Sequence, residues 1–184
     1  PEAVDLAVVT VDLGLVPGII EECAAKGVHN LVVISGGGKE LGGERRALEA
    51  EIRRLARLHD VRVIGPNCIG VFDGHTRFDC TFQVHERMLR PRAGRIAMLT
   101  QSGTIGAGFV EAVAEVGVSR FASYGNRVDV DEADLLAYLA EDPDTAVIAM
   151  YVEGLEDGNK FLTVARRVAA QKPIVIFKVG RTER

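Results

Sequence analysis

The chain has 184 residues, 47% hydrophobic and 26% charged, with no Trp and a formal net charge of −4. This is globular composition, enough for one large domain or two small ones, and the absence of a basic run argues against nucleic acid as a partner. No apolar run approaches the roughly 20 residues of a membrane helix, and there is no signal-peptide pattern. Cys23, Cys68 and Cys80 show neither CxxC nor CxxH spacing. That spacing disfavours a zinc site or disulfide scaffold and points to a reducing cytoplasm.

In chain order, LAVVTV (6–11) reads as a buried strand. Pro17 opens a helix that Gly27 stops. LVVIS (31–35) is a second strand and runs into Gly36-Gly37-Gly38-Lys39-Glu40. A helix over 44–58 follows, with Leu48, Ile52, Leu55 and Leu58 on one stripe. VRVIG (61–65) is a third strand, ending in Gly65-Pro66-Asn67-Cys68-Ile69-Gly70. This alternation predicts a parallel, doubly wound sheet whose ligands bind at the carboxyl ends of its strands. Three strands and two helices leave one face uncovered, so further strands are expected upstream of Pro1, and the incomplete sheet is expected to have an exposed edge. Residues 71–91 hold no period and read as an irregular connector.

A second α/β half then begins. Strand 95–100 turns through Gln101-Ser102-Gly103-Thr104 into a helix that Gly117 closes. SRFASYGN (119–126) is a strand with a Gly-Asn turn, and Asp131 is the candidate N-cap of the next helix, with Asp134 as its capping-box partner. Strand 145–154 ends in Glu153-Gly154, a helix starts near Asp157, and strand 172–180 ends in Gly180-Arg181.

A strand that turns through Ser-Gly-Thr into a helix aims backbone N–H groups and a partial positive charge at whatever lies ahead of it, which suits phosphate. Ser102 can equally serve only as a cap. If the sheet is parallel, the strand ends bring Gln101–Thr104, Tyr124-Gly125-Asn126, Glu153-Gly154 and Gly180-Arg181 to one edge. No His accompanies these turns, which disfavours a serine hydrolase. Asn67, with a donor and an acceptor, is a candidate ligand contact, whereas Cys68 lacks a basic neighbour to activate it. The Gly36–Gly38 run is only a weak phosphate signal. Neither half shows GxGxxG with an acidic residue about 20 positions on, which disfavours a nicotinamide dehydrogenase.

The segments VISGGGKELGGE, VIGPNCIGVFD, RMLRPRAGRIAMLTQSGTIGAGF, SYGNRVDVDEADLLAYLAEDPDT, YVEGLEDGNKF and KPIVIFKVGRTE span almost the whole chain. In that order they resemble the nucleoside-diphosphate-forming acyl-CoA synthetases, the family of ADP-forming acetyl-CoA synthetase and the succinyl-CoA synthetase α subunit, the acetyl branch more closely. The resemblance implies an α/β chain in which residues 1–72 form the C-terminal half of a CoA-binding Rossmann-like domain. Residues 73–90 are then a connector, and 91–184 a flavodoxin-like domain of the succinyl-CoA ligase type. It implies part of an acid–CoA ligase working through acyl phosphate and phosphohistidine. Glu153 would be the catalytic carboxylate orienting the His, with Gln101, Ser102, Gly103 and Thr104 as the phosphate cradle. Ser35, Gly36, Asn67 and Cys68 would contact CoA, and Tyr124, Gly125 and Asn126 would line the substrate cleft. The implied cofactors are CoA and ATP or ADP with Mg²⁺. The nucleotide would be held mainly by an ATP-grasp β subunit or fused domain, and no metal site is expected in this segment. A small carboxylic acid substrate, an oligomer and a cytoplasmic location complete the expectation. The phosphorylated His of a Ser-His-Thr-Gly loop would fall beyond Arg184, so the segment alone is expected to be inactive. The alternative is a non-catalytic acyl-CoA-sensing or assembly module on the same scaffold.

Overall fold

A computed structural model describes residues 3–38 and 42–180. The chain divides into two compact units, one comprising residues 1–70 with 124–131 and the other residues 71–123 with 132–184.

The first unit is built on a parallel three-stranded sheet, β1 (Ala7–Val9), β2 (Asn30–Val33) and β3 (Arg62–Ile64), in that order. Helix α1 (Val16–Ala25) has Pro17 in its first turn, where a missing N–H costs nothing. Helix α2 (Glu44–Leu58) packs beside it. Val9, Leu13, Ile20, Leu31, Ile52, Leu55 and Val63 form the core. The expected stripe on α2 is corrected at its end. Leu58 is 64% exposed, and Ala56, at 1%, takes the buried position instead.

β3 is an edge strand, but its edge is covered. The amide of Val130 donates to Val63 O (3.1 Å) and that of Val128 to Gly65 O (3.0 Å), while Asp129 accepts from both the Val63 amide and Arg62 Nε at 2.9 Å. The segment 124–131 thus replaces a fourth strand with a stitched loop, and at the other edge of the sheet Val8 of β1 is 44% exposed.

The second unit holds β4 (Gly70–Asp73), β5 (Ala93–Thr100), β6 (Val118–Ser123), β7 (Val147–Val152) and β8 (Ile174–Lys178), ordered β4-β6-β5-β7-β8. β5 to β8 are parallel. The helices are α3 (Gly103–Ala112), α4 (Glu132–Glu141) and α5 (Gly158–Ala169). α3 ends at Ala112, short of the expected Gly117, and the chain reaches that glycine through a turn in which the Val116 and Gly117 amides bond Val113 O.

Strand β4 corrects the reading of 71–91 as wholly irregular. It begins with glycine and has only four residues, too few to display a period. Beyond it, nearly buried Arg90 organises the loop by binding Asp79 (2.6 Å), Gln83 O (2.7 Å), Met88 O and Thr81 Oγ1. On β6, Arg120 gathers Asp73 (3.0 Å), Asp142 (3.1 Å) and Asp144 (3.0 Å).

Candidate functional site

In the second unit, β5 sits between β6 and β7, so the crossovers that leave its carboxyl end and arrive at β7 diverge. In open α/β sheets the ligand crevice lies at such a switch point. Residues 100–104 and 153–154 lie at the carboxyl ends of β5 and β7 at this point.

Thr100 is fully buried. Its hydroxyl donates to Ser102 O (2.7 Å) and accepts the Ser102 amide (3.1 Å), which closes a tight turn into α3. The Ser102 hydroxyl accepts the Ile105 amide at 3.4 Å, a long capping bond, and Gly106 N donates to Ser102 O as the first helical bond. Ser102 and Gly103 are half-buried and Thr104 is exposed. The first-turn amides of a helix lack intrahelical partners, so Gly103 and Thr104 present them at the positive end of α3. Gly106 lets α3 sit close on the sheet, since a Cβ there would lie 2.7 Å from Thr100 Cγ2 and 2.9 Å from the Phe121 ring.

Gln101 faces another way. Its amide continues the ladder to Tyr151 O (3.2 Å), and its buried side chain reaches the end of β7. Oε1 accepts from the amides of Glu153 (2.7 Å) and Gly154 (3.0 Å), and Nε2 donates to Gly154 O (2.8 Å). Expected as a phosphate ligand, Gln101 spends its carboxamide on the turn that carries Glu153. The Glu153 side chain is exposed, while its carbonyl accepts Lys178 Nζ at 2.9 Å. Arg181, expected at the same edge, lies outside the described residues.

In the first unit, the carboxyl ends of β2 and β3 meet. The Asn67 amide donates to Ser35 O (2.8 Å), and the buried Ser35 hydroxyl donates to Val11 O. Gly36 is exposed. Cys68 is buried, with its thiol donating to Val33 O at 3.3 Å, which makes it a packing group. Asn67 is exposed at φ 58.

Residues 124–126 require a correction. The sequence groups Tyr124-Gly125-Asn126 with the strand ends of the second half, yet β6 stops at Ser123 and the three residues belong to the first unit. Gly125, at φ +50, allows the reason for this: a Cβ there would lie 2.2 Å from Pro66 O and 2.3 Å from Asn67 O. The Asn126 amide bonds Pro66 O (2.8 Å), its Nδ2 donates to the buried Glu49 carboxylate (2.6 Å), and its Oδ1 accepts Asn67 Nδ2 at 3.4 Å. Tyr124 is fully buried. Gly38, the last of the glycine run, leaves room for the same carboxylate, since a Cβ on it would fall 2.0 Å from Glu49 Oε1. Glu49 and Lys178 are the two contributors that sequence reasoning missed. Both sit at unremarkable positions, on a helix face and a strand end, and only their distant partners mark them.

Among the described residues no group of three or more His, Cys, Asp or Glu is placed to hold a metal ion, and no helix is long and apolar enough to cross a membrane.

Comparison with known proteins bears on both units. A family model described as "Succinyl-CoA ligase like flavodoxin domain" matches residues 93–184, and one described as "CoA binding domain" matches residues 1–73. An acetate–CoA ligase (ADP-forming) I of Archaeoglobus fulgidus is 44% identical over 189 residues, covering 100% of this chain and 26% of its own length. The α subunit of the Pyrococcus furiosus acetate–CoA ligase (ADP-forming) II is 38% identical, covering 100% of this chain and 39% of its own. The chain therefore spans well under half of the curated relatives it matches. Among solved structures, a Pyrococcus horikoshii protein superposes with a TM-score of 0.91 at 38% identity, over 98% of this chain and 41% of its own. A Ca. Korarchaeum cryptofilum acetyl-coenzyme A synthetase, solved in complex with phosphate and ADP, gives a TM-score of 0.89 at 38% identity over 99% of this chain and 39% of its own.

Proposed function

We propose, for a chain that belongs to the nucleoside-diphosphate-forming acyl-CoA synthetases through its succinyl-CoA ligase-like flavodoxin domain, that it is the part of an acid–CoA ligase that supplies a phosphate cradle and part of a CoA site. The overall reaction is acid + CoA + NTP to acyl-CoA + NDP + phosphate, by way of acyl phosphate and a phosphohistidine on a segment outside these residues. The single observation that carries this reading is the Gln101-tied junction of the α3 N-terminus with the Glu153 turn at the switch point of the second sheet. The α3 amides and Thr104 hydroxyl offer donors to a transferring phosphoryl group, and Glu153 offers the carboxylate that orients the imidazole.

CoA, when bound, supplies the thiol that carries the acyl group. The ends of β2 and β3 fit it: exposed Gly36 and Asn67 give approach and hydrogen bonds, and buried Cys68 offers no competing nucleophile. The nucleotide and its Mg²⁺ belong, in this reading, to an ATP-grasp subunit or fused domain. A small carboxylic acid such as acetate is the substrate, and the holoenzyme is an oligomer.

The test uses the full-length protein with its ATP-grasp module. It is expected to form acyl-CoA from acetate, CoA and ATP with equimolar ADP, and to carry phosphohistidine. Glu153→Gln is expected to lower the rate by about two orders of magnitude, as on loss of a positioned acid or base. CoA binding without phosphohistidine would overturn the ligase reading in favour of a sensing or assembly module.

A further inference from the structure

Glu153 is exposed and follows the last residue of β7, a position where a backbone would ordinarily be free to turn. Here it is held on both sides. The peptide joining Glu153 to Gly154 has its N–H bound by Gln101 Oε1 (3.0 Å) and its C=O bound by Lys178 Nζ (2.9 Å). The preceding peptide is held through the Glu153 N–H by the same Oε1 (2.7 Å), and the following carbonyl by Gln101 Nε2 (2.8 Å). Lys178, paired with Val152 in the β7–β8 register, completes its donor set on Val179 O and on Gly180 O at 3.4 Å.

From this geometry we infer that Gln101 and Lys178 are positioning residues that clamp the Glu153 peptide so that its carboxylate leaves β7 in one direction. The inference rests on the reading of Glu153 as the carboxylate of the reacting centre. The residue types follow from the chemistry. The turn offers two N–H groups and one C=O on the Gln101 side, and a carboxamide meets them from two separate atoms, Oε1 accepting twice and Nε2 donating once. Glutamate would set a second oxygen against Gly154 O, and asparagine is one methylene too short. On the Lys178 side three carbonyls converge, which suits an ammonium with three N–H donors. A misplacement of about 1 Å at a catalytic group can cost about 10²-fold in rate, so the clamp acts on kcat.

The experiment measures steady-state acyl-CoA synthesis by the full-length protein, holding its ATP-grasp module, for Gln101→Ala, Gln101→Glu and Lys178→Met, each alone and combined with Glu153→Gln. Gln101→Ala and Gln101→Glu are each expected to lower kcat about 10²-fold with KM for CoA changed less than about threefold. Lys178→Met, on an exposed side chain that can be removed without touching the core, is expected to lower kcat in the same direction, and Lys178→Arg to restore part of it. In the Glu153→Gln background the further loss from either clamp variant should be less than about threefold, because the clamp acts only through Glu153. Equal losses in both backgrounds would overturn the inference, as would an unchanged kcat for Gln101→Glu and Lys178→Met. If Glu153→Gln itself leaves the rate unchanged, the functional reading falls and the clamp's role with it. If Glu153→Gln lowers the rate while the clamp variants leave kcat unchanged, only the clamp falls.

Discussion

Two glycines two residues apart in α3 make opposite predictions from one substitution. Gly106 and Gly108 both lie inside the helix, so replacing either with alanine recovers helix propensity, about 0.5–1 kcal/mol. Around Gly108 nothing lies within 4 Å of the added Cβ. Around Gly106 the Cβ would meet Thr100 Cγ2 at 2.7 Å and two Phe121 ring atoms at 2.9 Å, and these neighbours are 0% and 1% exposed, with nowhere to move. Overpacking of this kind costs about 1–3 kcal/mol. Gly108→Ala is therefore expected to stabilise by about 0.5–1 kcal/mol. Gly106→Ala is expected to destabilise by up to about 2.5 kcal/mol once the propensity gain is subtracted. Because that gain is common to both, the difference between the variants isolates the packing cost. Urea unfolding of the 184-residue chain, followed by far-UV circular dichroism, reads both values. Equal stabilisation by the two substitutions would refute the seating of α3 on Thr100 and Phe121, and with it the account of how the helix N-terminus is aimed.

Three further outcomes are expected. Arg120→Ala strands Asp142, whose side chain is 3% exposed, among Asp73 and Asp144, and should cost about 3 kcal/mol in urea unfolding as a broken, largely buried ion cluster. Asp157 accepts the Lys160 amide (2.9 Å) at the start of α5, so Asp157→Ala should lose about 1 kcal/mol of stability and Asp157→Asn less. Burial works against ionisation of Asp73, but the Thr76 and His75 amides and Arg120 outweigh it and hold its carboxyl below the ordinary value. A depressed folded-state value contributes stability that is present above the unfolded value, about 3.9, and is lost as pH falls through the folded one. The urea midpoint should therefore drop on acidification below about pH 4, with a shallower drop in Asp73→Asn.

The sequence declared its regular elements wherever a local rule sufficed. Helix α2 is bounded as the apolar spacing of Leu48, Ile52 and Leu55 predicts, and the parallel strands follow from their alternation with helices. Where a segment's structure depends on distant backbone, the local rule had nothing to act on. β4 is four residues beginning with glycine, and Tyr124–Asn126 read as the end of a strand because nothing nearby announces the carbonyls of Pro66 and Asn67, which receive Gly125.

The candidate site divides along the same line. The opening of α3 is a backbone feature, and backbone features are written in adjacent residues: an apolar strand, Ser-Gly-Thr, then a helix. Its promise of donors at a positive terminus could be read without knowing what lay opposite. The Glu153 turn is a side-chain feature. A polar residue at a strand end reads equally well as a ligand contact and as a brace, and Gln101 becomes a brace only because Glu153 and Gly154, more than fifty positions on, present two N–H groups and a carbonyl within 3.0 Å of its amide. Sequence therefore paired the Ser102 and Glu153 turns but also grouped Tyr124–Asn126 with them, whereas which side chains brace a turn is a property of the fold.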